Sequence, residues 1–233
     1  MKKIVVLTGA GISAESGIKT FRETGGLWEE HDVMEVASPQ GWKKNPTLVL
    51  NFYNDRRRQL QSVQPNAAHQ ALAELETQYD VVVITQNVDD LHERGGSTRI
   101  IHLHGQLNKM RSVMDDTVIY DCPGDISWGD KAEDGFQLRP HIVWFGEMVP
   151  MLEKAAFEIS DADTVLVIGS SMQVYPAAGL VEYAPKGIPI YYIDPHPSIN
   201  YELARSENLK VIEENATIGV RRVVDLLLET DEQ

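Results

Sequence analysis

Four short stretches carry residue types that could bind a polar ligand and act on it. Gly9-Ala10-Gly11-Ile12-Ser13-Ala14 follows an apolar run and fits the G-x-G-x-x-G/A pattern. Glycines so spaced permit a tight turn and let backbone N–H groups approach a pyrophosphate. A plain turn joining strand to helix would use the same residues. Gln86, Asn87 and Asp89 follow a β-branched run and could line a polar pocket; Asn87 and Asp89 could instead simply cap the next helix. Gly169-Ser170-Ser171 is a second turn of this kind, suited to phosphate or ribose contact or to simple connection. His104, in His102-Leu103-His104-Gly105, ends a strand-like run, where ligand crevices of open α/β sheets lie. An imidazole there can accept a proton near neutral pH. His102 shares its strand face and reads as a packed or hydrogen-bonded side chain.

These stretches need a scaffold, and the apolar pattern supplies one. Runs at Lys3 to Leu7, Val81 to Thr85, Arg99 to Leu103, Ile142 to Trp144, Thr164 to Ile168, Ile188 to Ile193 and Leu209 to Ile212 are nearly continuous. That is the mark of strands covered on both faces. Helical patterns lie between many of them, at Thr47 to Gln61, Asn66 to Gln78, Met151 to Ser160, Pro176 to Ala184 and Asn215 to Glu229. The alternation predicts an α/β fold with a doubly wound, mostly parallel, Rossmann-like sheet. Two stretches break the rhythm. Residues 29–63 offer helices and no convincing strand, and 105–140 holds only hairpin-like runs among Asp, Gly and Pro. Both are expected to form a small inserted lobe beside a sheet domain of residues 1–28, 64–104 and 141–233. A ligand cleft is expected between lobe and sheet.

Charge narrows the function. Asp and Glu outnumber Lys and Arg by 35 to 21, giving a formal −14, so nucleic acids and anionic membranes are poor partners. A lysine-rich protein partner remains compatible. No stretch reaches the roughly 18 apolar residues of a membrane span, and Ile4-Val5-Val6-Leu7 is too short for a signal peptide's core. The single cysteine, Cys122, allows no internal disulfide, and a cytoplasmic protein is expected. A dehydrogenase is disfavoured: no second strand ends in an acid about 20 residues after the glycine turn. The polar segment Gly17 to Trp28 stands there instead, and is expected to cover a bound nucleotide.

The glycine loop with the segment after it, Thr85-Gln86-Asn87-Val88-Asp89-Asp90-Leu91-His92, His102-Leu103-His104-Gly105, Pro140-His141-Ile142-Val143-Trp144-Phe145-Gly146-Glu147 and Gly169-Ser170-Ser171 occur in the order found in sirtuins. The chain resembles that family of NAD-dependent protein lysine deacylases over most of its length. The resemblance implies that Gly9, Ala10, Gly11 and Ser13 hold the NAD phosphates, with Phe21 and Arg22 in the cofactor loop. It implies that Gln86, Asn87 and Asp89 line the nicotinamide–ribose pocket, and that Gly169, Ser170 and Ser171 contact phosphate or ribose. Asp194 stands where the family usually has Asn near the adenosine ribose, and Ala216 is expected near the adenine. His104 would be the base that activates a ribose hydroxyl, with Asn87 and Asp89 orienting ribose and water. Val143, Phe145 and Gly146 would touch the acylated lysine. The implied products are nicotinamide, free lysine and O-acyl-ADP-ribose. An ADP-ribosyltransferase or NAD hydrolase on the same pocket, and a non-catalytic NAD or ADP-ribose sensor, are the competing readings.

Two departures or refinements bear on the substrate and the lobe. Tyr53 and Arg56 are i and i+3 on one helix, and a phenol with a guanidinium suits a carboxylate. The pair resembles that of sirtuins preferring succinyl- or malonyl-lysine; a solvated basic face continuing through Arg57 and Arg58 is the plainer reading. Most sirtuins carry four zinc-binding cysteines in the small lobe, whereas residues 111–140 here contain only Cys122. No zinc is therefore expected, and packing around Val118, Ile119, Tyr120, Ile126 and Trp128 is expected to hold the lobe.

Overall fold

A computed structural model describes residues 1–19, 27–28 and 31–230 of the chain. The fold starts with β1 (Lys3–Thr8) and a short helix, α1 (Gly11–Ala14). A two-residue pair follows, β2 (Leu27–Trp28) with β3 (His31–Asp32). Three helices come next: α2 (Val33–Val36), α3 (Pro39–Lys44) and α4 (Pro46–Ser62). Then α5 (Ala67–Leu75) leads to β4 (Asp80–Thr85), α6 (Leu91–Arg94) and β5 (Ile100–His102). The strands β6 (Gly105–Ser112), β7 (Ile119–Asp121) and β8 (Leu138–Ile142) form a separate antiparallel sheet in the order β7-β6-β8. The remainder is α7 (Leu152–Ser160), β9 (Thr164–Ile168), a 3-10 helix at Ala177–Tyr183, β10 (Ile190–Ile193), α8 (Tyr201–Ala204), β11 (Leu209–Ile212) and α9 (Ala216–Thr230).

Six strands form one parallel sheet in the order β11-β10-β9-β1-β4-β5. The continuous apolar runs are explained by burial on both faces. Ile4 and Val6 of β1 face a core shared with Leu72 and Leu75 of α5 and Val220 and Val224 of α9. Val5 and Leu7 face the opposite core, with Ala155 and Ile159 of α7 and Leu180 and Val181 of the 3-10 helix. Burying each such side chain contributes roughly 1.5–3 kcal/mol, so this double covering is the main source of the sheet's stability. From β1 the chain runs outward through β4 and β5, then crosses back to β9, β10 and β11 on β1's other side. The reversal falls between β1 and β9, and an open sheet has its ligand crevice at the carboxyl ends there.

The lobe is built around α4. Pro46 fits the helix start, and the Asn45 side chain accepts from the Leu48 N–H at 3.1 Å. One face of α4 buries Val49, Phe52 and Tyr53 against Leu107, Ile142 and Trp144. Leu50 packs with Cys122, Ile126 and Leu138. Polar groups staple the loop between β7 and β8: the buried Asn54 amide donates to the Ile126 carbonyl and accepts from its N–H, both at 3.0 Å. Arg57 Nε donates to the Leu107 carbonyl at 2.7 Å. Among the described residues, no group of three or more His, Cys, Asp or Glu could hold a metal ion. No helix among them is long and apolar enough to cross a membrane.

Several expectations change. Ile142 to Trp144 is not a strand of the parallel sheet: β8 ends at Ile142 and pairs antiparallel with β6, and Trp144 turns into the lobe core. A β-branched run reads alike in either sheet, so sequence alone did not separate them. Val118, Ile119 and Trp128 do not hold the lobe together, being 42%, 48% and 61% exposed; Leu50, Cys122 and Leu138 do that with Ile126 and, partly buried, Tyr120. The run Arg56 to Arg58 is not a uniform basic face. Arg57 is buried, while Arg58 is exposed and paired with Asp55 and Asp125.

Candidate active site

Two glycine turns meet at the reversal point. Gly11 N–H donates to the Gly169 carbonyl at 2.8 Å, and Gly9 N–H to the Ile168 carbonyl at 3.0 Å. A Cβ on Gly9 would lie 2.8 Å from the Gly169 oxygen, and one on Gly11 2.6 Å from the Gly169 Cα. Gly169 itself has φ +57°, and a Cβ there would press on Ile12 N. These glycines let two loops touch backbone to backbone beside the crevice at the carboxyl ends of β1 and β9.

A cavity of about 530 Å³ runs from that crevice to the small lobe. It is lined by Gly9, Ala10, Gly11, Ser13, Gln86, Asn87, Asp89, His104, Val143, Phe145, Gly146, Gly169, Ser170, Ser171, Asp194, Ala216 and Tyr53. Nearly every candidate read from the sequence therefore shares one wall. Arg56 is not among the described lining residues; it is half-buried, its guanidinium carbon 5.2 Å from the Phe52 ring centroid. Phe21 and Arg22, with most of the expected covering segment, lie outside the described residues.

His104 follows β5, held where Gly105 (φ +81°) turns the chain into β6 and where Val143 N–H bonds to the His104 carbonyl at 2.9 Å. Its Nδ1 lies 3.0 Å from the Gln86 carbonyl oxygen. A carbonyl only accepts, so Nδ1 carries the proton and Nε2 keeps its lone pair. Burial lowers the imidazole's pKa, with the Gln86 bond partly opposing, so at neutral pH the ring is the uncharged base. His102 is engaged otherwise, with Nε2 2.6 Å from Glu93 Oε1.

Asn87, Asp89 and Ser13 form one buried network. Ser13 Oγ donates to Asp89 Oδ2 at 3.0 Å, and Asn87 Nδ2 donates to Ser13 Oγ and the Gly9 carbonyl at 3.2 Å. Leu91 N–H donates to Asp89 Oδ1 at 3.1 Å, so Asp89, one residue before the N-cap Asp90, tethers the start of α6 as well as lining the cavity. Burial raises Asp89 to about 6 in spite of the Leu91 and Ser13 hydrogen bonds. At the other turn, Gln86 Nε2 donates to Ser170 Oγ at 3.1 Å. Asp194, at the end of β10, is 3% exposed and accepts from the His196 N–H at 2.8 Å. A buried acid beside amides and hydroxyls suits the hydroxyl-rich sugars of a dinucleotide, and the two glycine turns suit its phosphates. NAD fits this donor set.

At the lobe end, Tyr53 is fully buried, and its hydroxyl oxygen accepts from Trp144 Nε1 at 3.1 Å. Burial pushes this phenol well above its ordinary value, so it stays protonated. Trp28, the end of the expected covering segment, lines the cavity; sequence reasoning gave no role to Trp144, Glu147 and His196, which line it too. Trp144 and Glu147 stand inside a quoted motif but between residues whose roles seemed plainer.

The fold and crevice define a doubly wound α/β protein that binds a dinucleotide at its topological switch. A Sir2 family model matches residues 9–176. An NAD-dependent protein deacylase of Helicobacter pylori J99 is 56% identical over 233 residues, covering 100% of this chain and 98% of the relative. One from Bacteroides thetaiotaomicron is 50% identical over 234 residues, covering 98% and 99%. The crystal structure of a Sir2 homolog–NAD complex superposes with a TM-score of 0.87 at 38% identity, covering 98% of this chain and 90% of that one. A structure of Sir2 bound to acetylated peptide gives 0.78 at 30% identity, covering 96% and 92%. The chain belongs to the Sir2 family.

Proposed function

We propose that this NAD-dependent protein deacylase acts in the cytoplasm on lysines whose acyl groups end in a carboxylate, succinyl and malonyl above acetyl. The observation that carries the chemistry is His104, an uncharged imidazole in the cavity whose Nδ1 proton is committed to a backbone carbonyl. NAD, when bound, supplies an electrophilic sugar carbon and a nicotinamide leaving group for the acyl oxygen to displace. His104 Nε2 would take up the proton of the ribose hydroxyl that attacks the acyl carbon, with solvent water supplying the oxygen that lets the lysine leave as the free amine. Asn87 and Asp89, locked through Ser13, hold the ribose face in one orientation, so little ordering remains for the reaction itself. Phe145, Val143 and Gly146 flank the entry for the lysine stem. Support for a carboxylate-bearing acyl group comes from the protonated Tyr53 hydroxyl at the lobe end and from Arg56 one helical turn further along α4.

The reading is tested by mass spectrometry of NAD with a succinyl-lysine peptide. Nicotinamide, bare lysine and O-succinyl-ADP-ribose are expected; free ADP-ribose beside intact peptide sinks the deacylase reading. His104→Ala is expected to abolish product while NAD still binds by calorimetry. Tyr53→Phe with Arg56→Met should lower kcat/KM on succinyl-lysine by roughly tenfold or more beyond any loss on acetyl-lysine, the worth of a charge-assisted contact. Equal losses on the two peptides refute the acyl preference.

A further inference from the structure

Tyr53 alone does not determine how its hydroxyl is used. A phenol can donate one hydrogen bond and accept others, and a carboxylate needs a donor. Trp144 has an indole N–H, which can only donate, and it donates to the Tyr53 oxygen at 3.1 Å. That bond takes an acceptor position of the phenol and cannot use its O–H, which stays available to donate. No described residue accepts the Tyr53 O–H, and Tyr53 is one of the residues that line the cavity.

The indole is fixed in turn. The Arg139 guanidinium carbon lies 3.2 Å from the centre of the Trp144 ring, stacked on its face. Arg139 is held by a two-point pair with Glu147, Nη1 to Oε1 at 2.7 Å and Nη2 to Oε2 at 3.2 Å. Its Nη2 also donates to the Ile142 carbonyl at 2.9 Å. The Trp144 backbone N–H closes the ring of contacts by donating to Glu147 Oε2 at 2.8 Å. Glu147 also lines the cavity, where a free carboxylate would repel an acyl carboxylate; pairing with Arg139 neutralises it. Trp42 packs against the indole, with ring centroids 5.6 Å apart.

We infer that Trp144, braced by the Arg139–Glu147 pair, is a specificity-determining positioning residue that presets Tyr53 as a donor for the substrate's acyl carboxylate. The inference rests on the carboxylate-acyl reading above. The indole acts through Tyr53: it selects which of the phenol's two roles faces the ligand. A substrate without a terminal carboxylate gains less from that selection.

Trp144→Phe keeps an aromatic face for Arg139 and removes the N–H. The readout is the ratio of kcat/KM on succinyl-lysine to that on acetyl-lysine, measured on the whole chain with NAD. The ratio is expected to fall roughly three- to tenfold, the worth of one hydrogen bond, through KM for the succinyl peptide. A variant that loses activity on both peptides in proportion, ratio kept, overturns the positioning role. In a Tyr53→Phe background, Trp144→Phe is expected to leave the ratio where it stands; a further fall would mean that the indole meets the ligand itself. Should Trp144→Phe fail to fold, Arg139→Lys, which keeps the charge and loses the flat stack, is expected to lower the same ratio, and an unchanged ratio refutes the bracing. Wild-type enzyme with no preference for succinyl-lysine removes the carboxylate reading and this inference together. Preference in the wild type with an unmoved ratio in the variants removes the inference alone.

Discussion

At the scale of single residues, the site keeps two groups away from their ordinary protonation, in opposite senses. His104 is made harder to protonate and Asp89 harder to ionise, both chiefly by burial. For Asp89 this has a cost in stability. Its folded value, raised to about 6 from 3.8, means that the native state holds the proton more tightly than the unfolded chain. The stability from this group is therefore fully present below about 3.8 and is lost as pH rises through 6. At pH 7.5 the ionised Asp89 is a burden the fold carries for the sake of the ligand. Asp89→Asn removes the charge and keeps an acceptor for the Leu91 N–H; its NH2 replaces the oxygen that takes the Ser13 hydroxyl, which must turn to accept instead. The substitution should stabilise the protein at pH 7.5 by about 1–3 kcal/mol, from shifts worth about 1.4 kcal/mol per pH unit. Urea unfolding at pH 7.5 and pH 4 checks this: the gain should vanish at the lower pH, and deacylation should be severely impaired throughout. A variant less stable at pH 7.5 would mean that the carboxylate's bonds outweigh its burial.

At the scale of elements, the two glycine turns do the positioning, and alanine substitution separates conformational need from mere presence. Gly169 has φ +57° with Ile12 N in the way of any Cβ, whereas Gly124 has nothing within 4 Å of its Cβ position and an ordinary φ. Gly169→Ala should cost about 2 kcal/mol or more in urea unfolding and weaken NAD binding, while Gly124→Ala should stay within about 0.5 kcal/mol. Equal effects would mean that the turns do not set the crevice. The first turn was legible as a turn because Gly9 and Gly11 follow an apolar run, and Thr164–Ile168 was legible as a strand because burial on both faces leaves a nearly unbroken apolar run; Leu209–Ile212 is an edge strand, with Lys210 and Val211 exposed. The lobe was less legible. Its sheet is one-sided, so Val118 and Ile119, read as core, sit on the exposed side. Its staples are Asn54 and Arg57, polar residues whose burial depends on partners more than 45 positions away in the chain. Trp144 escaped for a related reason: its indole partner, Tyr53, is 91 residues distant, and no local spacing marks that contact.

At the scale of the whole molecule, the fold buries several histidines in their neutral form. His69, fully buried behind Ser13, is lowered to about 4 by burial, and His92, 1% exposed beside Thr8, is lowered well below its ordinary value. His141 is lowered to about 4, by burial first and then by the charges of Arg111 and Arg139, though it is only half-buried and solvent weakens its contribution. Depressed histidine values mean that the unfolded chain binds protons that the native chain refuses. Their stability is present above about 6.5 and is lost as pH falls towards 4. Asp89 works the other way over part of this window, but it is one group against His69, His92, His104 and His141. Each net proton taken up on unfolding lowers stability by about 1.4 kcal/mol per pH unit. Urea unfolding should therefore show a plateau above pH 7 and a steady fall between 6.5 and 4, before the carboxylates lowered by pairing, Glu93 and Glu147, titrate. His69→Gln, which keeps a side chain able to meet Ser13 and Asn66, should shallow that fall by up to one proton's worth and leave the plateau slope unchanged. A wild-type profile flat from pH 7 to 4, or a His69→Gln profile as steep as the wild type's, would show that His69 is protonated in the native protein and that the buried wall behind the site is wetter than its packing implies.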